Sequence, residues 1–333
     1  MILAGDIGGT NTRFAAFEVT GEGLRVAESQ TFPSRDHKGL AEIVAAFLSV
    51  HKLPIKQACF GVAGPVKDGR CVATNLPWVV DVHDMRKILG LQSVYLINDL
   101  EANAYGVATL GVNDFSILNE GEIHVHGNAA IIAAGTGLGE AGYYWDGTHH
   151  HPFACEGGHT DLGPRNDLEM ELLRFLLARF GHVSYERVLS GPGLLHIYEF
   201  FRDKGYGKEP SWLAEEMRLQ DPSAVISKSA LEGRSELCVR ALDLFVSLYG
   251  AEAGNLALKV MATAGLFIGG GIAPKIISKL KDGTFMQAFT EKGRMRSVME
   301  AIPVRVILYD QTPLLGAAHY AELRATNEPF SLA

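Results

Sequence analysis

The chain has 333 residues, 47% hydrophobic and 20% charged, which is ordinary globular composition with core enough for about two domains. A formal net charge of −8 and a pI near 5.8 exclude the basic surface that a nucleic-acid partner would need, and no apolar run reaches the roughly 18 residues of a membrane span. The cysteines Cys59, Cys71, Cys155 and Cys238 lie far apart without zinc-binding spacing and predict reduced thiols; a start directly on a strand, with no signal-peptide pattern, predicts a cytoplasmic protein.

The first hundred residues alternate strand and helix patterns, the mark of an α/β layer. Strands are expected near 2–6, 12–19, 24–32, 57–63, 70–74 and 94–98, and helices near 39–51, 81–89 and 99–109. The first two strands are joined through Gly8, Gly9 and Thr10, a turn that presents bare amides and a hydroxyl. Such a turn is either an ordinary glycine hairpin or an anion-binding concavity able to cradle phosphate. Asp6, just ahead of it, would repel a phosphate directly and fits better facing a Mg²⁺ that the phosphates also hold.

Beyond about residue 110 a polar stretch, NEGEIHVHGN, separates a second unit that begins at Ala129. Its opening, AIIAAGTGLGEAGYYW, repeats the plan of ILAGDIGGTNTRFAAF: apolar strand, Gly/Thr turn, second strand. The histidines 149–151 follow Asp146-Gly147 and precede Pro152, which places them in a solvated turn or loop. Helices are then expected near 166–180, 191–204, 211–219, 222–231 and 234–262, strands near 265–269 and 304–308, and a last helix over 314–325 that returns to the first lobe.

Several segments carry residues suited to chemistry. In VYLINDLEANAYG a buried strand ends at Asn98-Asp99 where a helix begins, and ligands of α/β sheets bind beyond the carboxyl ends of strands. Asp99 either caps that helix or, with the Asn98 amide, grips a polyol and takes a proton from it. The AGTGLG segment supplies a second phosphate-sized turn with Gly135, Thr136, Gly137 and Gly139. In CEGGHTD, Glu156 and His159 bracket two glycines that oppose a metal-binding helix, so hydrogen bonds to sugar hydroxyls are the better role. Glu186 precedes the Ser190-Gly191-Pro192-Gly193 turn, where a plain solvated residue is the competing reading. The Gly269-Gly270-Gly271 triplet ends a strand and suits either close approach of a ring or ribose or tight helix–strand packing.

Together, GDIGGTNTR, the Ile97-Asn98-Asp99 step, AGTGLG, EGGHTD, ERVLSGPGL and GGGIAPK resemble the bacterial glucokinase family, in the group without the zinc-binding cysteine cluster of the ROK kinases. The match runs over nearly the whole chain. It implies an α/β, two-lobed actin/hexokinase-like (ribonuclease H-like) duplicated fold with a cleft between lobes, a small lobe of 1–110 plus 314–333 and a large helix-rich lobe of 111–313. It further implies a homodimer that uses ATP and Mg²⁺, without structural zinc, to phosphorylate glucose for glycolysis. By the same resemblance Asp99 is the general base, and Asn98, Asp99, Glu156, His159 and Glu186 hold the sugar. Gly5, Asp6, Ile7, Gly8, Gly9 and Thr10, with Thr136 and Gly137, would surround the ATP phosphates, and Gly269, Gly270 and Gly271 would border the adenosine. Asp6 would reach the Mg²⁺ through water and phosphates.

Glu140 departs from the family pattern, which has an apolar residue there; pointing inward it could disturb nucleotide binding or engage the metal, and facing solvent it would do nothing. Another hexose kinase of the same fold, for mannose, fructose or N-acetylglucosamine, is the nearest alternative, and polyphosphate could replace ATP as donor. A sugar-responsive regulator would need a DNA-binding domain ahead of the first hairpin, where the strand already starts at residue 2. An actin-like ATPase would have no use for Glu156, His159 and Glu186 beside Asn98-Asp99.

Overall fold

In the computed structural model, which describes residues 1–21, 23–73, 76–122 and 126–332, the apolar opening forms β1 (Ile2–Ile7) and turns back as β2 (Asn11–Thr20). These pair antiparallel from Ile2 opposite Phe17 to Ile7 opposite Thr12, and β3 (Gly23–Pro33) continues the meander. Helix α1 (Leu40–Val50) buries Leu40, Ile43, Val44 and Phe47, the one-face spacing of an amphipathic helix, and Phe47 meets Phe14 edge-on at 5.7 Å. β4 (Gln57–Val62) then runs parallel to β1.

A small antiparallel sheet of β5 (Val66–Lys67), β6 (Arg70–Val72) and β7 (Val79–Asp81) leads into α2 (Val82–Leu89), started by the Asp81 side chain and stopped by Gly90 at φ +66°. β8 (Val94–Asn98) runs parallel to β4 and passes directly into α3 (Asp99–Val107), completing the sheet order β3-β2-β1-β4-β8. The last helix, Thr312–Thr326, sets Leu314, Ala317, Ala318 and Ala321 against Ile2, Ala4, Ala15, Phe17 and Ala102. These elements, with Tyr143–Ala154, form one compact unit: Met1–Asp114, Tyr143–Ala154 and Tyr309–Ala333.

The second unit is Phe115–Gly142 with Cys155–Leu308. A six-stranded sheet contains β9 (Phe115–Asn119), β10 (Ala129–Ala134), β11 (Leu138–Trp145), β12 (His150–Cys155), β13 (Gly265–Gly269) and β14 (Val304–Ile307), in the order β12-β11-β10-β13-β14-β9, and the end of β11 and most of β12 group with the first unit. Strands β10, β13 and β14 are parallel. Position by position, β12-β11-β10-β13-β14 repeats β3-β2-β1-β4-β8, so the similarity between the two Gly/Thr hairpins extends to a whole strand plan, with β9 added at one edge. Around this sheet lie α4 (Asp167–Phe180), α5 (Gly191–Asp203), α6 (Ser211–Leu219), α7 (Pro222–Leu231) and the 25-residue α8 (Glu236–Val260). Three shorter helices follow: α9 (Ile277–Leu280), α10 (Thr284–Thr290) and α11 (Arg296–Ala301).

Several expectations differ from these coordinates. The histidines expected in a loop straddle a strand start: His150 and His151 open β12, His150 is buried beside Tyr143 and Trp145, and His151 Nε2 lies 2.6 Å from Asp146 Oδ2. Hairpin pairing with β11 outweighs their polarity. The expected division at 110 and 314 contrasts with unit boundaries at 114 and 309, and Tyr143–Ala154, placed by sequence in the large lobe, groups with the first unit. Residue 74 of the expected strand 70–74 and residues 123–125 of the polar stretch lie outside the described residues.

The packing of α3 on the last helix depends on two glycines. A Cβ at Gly316 would come within 1.7 Å of the Ala102 carbonyl oxygen, and one at Gly106 within 2.2 Å of the Thr312 carbonyl oxygen. Gly316→Ala should therefore lower stability by roughly 1–3 kcal/mol through overpacking, read as the urea midpoint, whereas Gly21→Ala, with nothing within 4 Å of its Cβ, should leave the midpoint in place. Equal midpoints for the two variants would contradict this account of the contact.

Candidate functional site

In the first unit, the parallel strands β1, β4 and β8 end at one edge of the sheet, with Ile7, Val62 and Asn98 in one register row. The hairpin Gly8–Thr10 and the Asn98-Asp99 step therefore emerge about 10 Å apart, two strand spacings. The hairpin is fixed from β3's end. Ser34 N donates to the Thr10 carbonyl at 2.9 Å, Ser34 Oγ donates to the Gly8 carbonyl at 2.7 Å, and the Thr12 hydroxyl in turn reaches Ser34 Oγ at 3.0 Å. Thr10 and Asn11 remain exposed at the tip.

Asp6 is half-buried, and its carboxyl is pushed up to about 6 by loss of hydration, with Arg13, its register partner on β2, acting in the opposite direction. A carboxylate with incomplete compensating charge fits a cation. One such oxygen ligand suits Mg²⁺, which keeps waters and takes its remaining ligands from phosphates. Among the described residues no cluster of three or more His, Cys, Asp or Glu could hold a metal by protein groups alone. Gly5 and Ile7, grouped by sequence with the phosphate residues, belong to the core: a Cβ at Gly5 would strike the Phe14 and Phe60 rings at 2.6 and 2.7 Å, and Ile7 is 1% exposed.

Asn98, rather than Asp99, caps α3. Its Oδ1 accepts from Leu100 N at 2.8 Å and Glu101 N at 3.3 Å, and its Nδ2 donates to the Gly64 carbonyl at 3.1 Å. The expected ligand-gripping amide thus also serves the backbone, and one Nδ2 proton is left for a ligand. Asp99 becomes the first residue of the helix, directly after the last residue of β8.

In the second unit, β10 and β13 end side by side, with Ala133 opposite Gly269. The turn after β10 closes with Gly135 N donating to the Gly137 carbonyl at 2.8 Å and leaves Thr136 exposed. Two bonds from the ERVLSGPG segment hold it: Leu138 N donates to Glu186 Oε2 at 3.0 Å, and Gly191 N donates to the Gly135 carbonyl at 2.8 Å. Gly270, at φ +82°, folds over the end of β10, where a Cβ would sit 2.3 Å from the Ala134 carbonyl oxygen. Gly269 is a buried strand residue, whereas Gly270 and Gly271 are exposed. Beside them Leu194, Asp221, Ala224, Ile272, Lys275 and Ile276 line a cavity of about 500 Å³.

Glu156, His159 and Glu186, separate in sequence, come together: His159 Nε2 is 3.9 Å from Glu156 Oε2, and Nδ1 is 4.0 Å from Glu186 Oε1. Glu186 sits in a 3-10 turn, Tyr185–Arg187, half-buried rather than on a solvated helix face. Glu140 points inward and is 1% exposed, under Gly157 rather than at the turn's phosphate side. Ser34 had no signal in the sequence, because it acts through a partner distant along the chain, whereas Gly191 and the cavity residues Ile272 and Lys275 fall inside the ERVLSGPGL and GGGIAPK segments.

Two sheets of one strand plan, each carrying a phosphate-sized hairpin at the end of its central strand, with a carboxylate at a helix start in one and an acid–imidazole cluster in the other, define a sugar kinase of the actin-like ATPase fold. The chain belongs to the glucokinase family, whose family model, described as Glucokinase, matches residues 3–324. It is 41% identical to the glucokinase of Nostoc punctiforme over 96% of this chain and 98% of that protein, and 40% identical to that of Synechocystis sp. over 95% and 96%. A crystal structure of glucokinase from an Antarctic psychrotroph superposes with a TM-score of 0.81 at 34% identity, covering 96% of this chain and 98% of that one.

Removing the Ser34 hydroxyl strands the Gly8 carbonyl and the buried Thr12 hydroxyl together. Ser34→Ala should cost about 1–3 kcal/mol in a urea melt and raise the KM for Mg·ATP more than the KM for sugar. A variant that melts and binds ATP like the parent would show that Ser34 does not hold the hairpin.

Proposed function

We infer that this protein transfers the γ-phosphoryl group of ATP to the 6-hydroxyl of glucose, with Asp99 as general base. The observation that carries this reading is placement: Asp99 opens α3 directly after the C-terminal end of β8, on the sheet edge where the Gly8–Thr10 hairpin also emerges, so a carboxylate able to accept a proton stands beside a phosphate-sized turn. Glu156, His159 and the Oε1 atom of Glu186 hold the other sugar hydroxyls. Their mixture of acceptors and a donor rejects a sugar that leaves one of them unpaired.

The amides and hydroxyl of Gly8–Thr10 and of Thr136-Gly137 receive phosphate oxygens, aided in each hairpin by glycine's lack of a Cβ. The cavity beside Gly270 and Gly271 takes the adenosine, its apolar floor of Leu194, Ala224, Ile272 and Ile276 matching a flat ring. Mg²⁺ would neutralise phosphate charge, and Asp6 would hold it through water. The Asp99 carboxylate accepts the proton of the 6-hydroxyl as the new O–P bond forms, and alignment of that hydroxyl supplies most of the remaining rate. The family resemblance also supports a cytoplasmic homodimer.

Asp99→Asn should lower kcat by about 10²–10⁴-fold while the KM for glucose changes by no more than a few-fold, in an assay coupled to ADP release. Turnover within about tenfold of the parent would remove Asp99 from the role of base.

A further inference from the structure

The turn that carries Glu156 and His159 lies on β11 at two points. A Cβ at Gly158 would come within 2.1 Å of the Leu138 carbonyl oxygen, and a Cβ at Gly157 within 1.8 Å of Glu140 Oε2. One support is therefore inert backbone and the other an ionisable side chain. The Glu140 carboxyl is buried, its Oε1 has no hydrogen-bond partner, and the Glu140 carbonyl accepts from Cys155 Sγ at 3.4 Å, immediately before Glu156.

The titratable and charged groups that face Glu140 come from α8 and from the end of β12. Glu252, Lys259 and Tyr249 are on α8, and Cys155 closes β12. Glu252 is itself fully buried and accepts from Asn255 Nδ2 at 2.8 Å and Lys259 Nζ at 3.3 Å, so one lysine serves two carboxyl groups. Tyr185 and Lys292 also face Glu252. Burial first, and then the charge of Glu252, push Glu140 up to about 8, with Lys259 opposing.

We propose that Glu140 is a positioning residue of the sugar-binding turn: its uncharged carboxyl packs against Gly157 and fixes Glu156 and His159, and ionisation of that carboxyl displaces the turn and weakens sugar binding. The proposal rests on the reading of Glu156 and His159 as sugar ligands. Its sign follows from the raised value: the competent, protonated form is complete well below about 8 and is lost as pH rises through it.

The test is the KM for glucose at saturating Mg·ATP, between about pH 6.5 and 9.5, for the parent, Glu140→Gln, Lys259→Met and Glu156→Gln. The parent KM should rise about tenfold between about pH 7 and 9 with a smaller change in kcat. Glu140→Gln, uncharged throughout, should flatten the rise, and Lys259→Met should shift it to higher pH by removing the cation that favours ionisation. A parent profile without the rise, or a rise that persists in Glu140→Gln, overturns the proposal. If Glu140→Gln does not fold, Lys259→Met decides, because its side chain is half-exposed and an unshifted profile overturns the proposal. A Glu156→Gln KM raised at least about tenfold keeps the sugar-site reading whatever becomes of Glu140, whereas an unchanged one sinks both.

Discussion

The hydrogen bond from the Leu138 amide to Glu186 joins the Gly/Thr hairpin of the second unit to its acid–imidazole cluster. One carboxylate fixes the second phosphate hairpin through Oε2 and presents Oε1 beside His159. Its approach is close enough that a Cβ at Gly137 would come within 2.4 Å of Oε2, so the glycine is required by the carboxylate as much as by a phosphate. A charge-assisted bond of this kind is stronger than a neutral one, and it couples any shift of the hairpin to the position of Glu186 beside His159.

The duplicated strand plan explains how such couplings arise in each half. Parallel strands deliver their C-terminal ends to one sheet edge, so a turn from one strand and a helix start from another one or two strands away are brought within a ligand's span without any long loop. The two halves use the edge differently. In the first unit a serine from β3's end braces the hairpin, and in the second a glutamate and an amide from the ERVLSGPG turn do so. Both braces act on backbone atoms, which leaves the exposed hydroxyls of Thr10 and Thr136 uncommitted to the turn's own closure.

Strands β1, β2, β4, β8, β10 and β13 and the helices from α4 to α8 were legible because period-2 and period-3.6 patterns run long in them and their ends carry Asn, Asp, Ser, Pro or Gly. Others were not: β9 and β12 carry polar residues (Ser116 and Asn119, His150 and His151) that interrupt their apolar pattern, and the three helices between 277 and 301 are too brief for a period to register. Within the site, the approach of Glu156, His159 and Glu186 followed from the family motifs rather than from spacing, since Glu186 alone reads as a solvated residue. The roles of Asn98 and Asp99 could not be separated by sequence, because either side chain can cap a helix and only the backbone entry angle decides. The inward turn of Glu140 was equally hidden, being set by strand alternation and by the empty Cβ position of Gly157 nearly twenty residues on.

The most direct test of the account is the initial rate of ADP release from Mg·ATP with glucose, with mannose, fructose and N-acetylglucosamine in turn, and with no sugar. A sugar-specific kinase predicts release that depends on glucose, falls for the other hexoses and is low without sugar. Equal release in the absence of sugar would instead identify a plain ATPase and contradict the assignment of Glu156, His159 and Glu186 to a sugar.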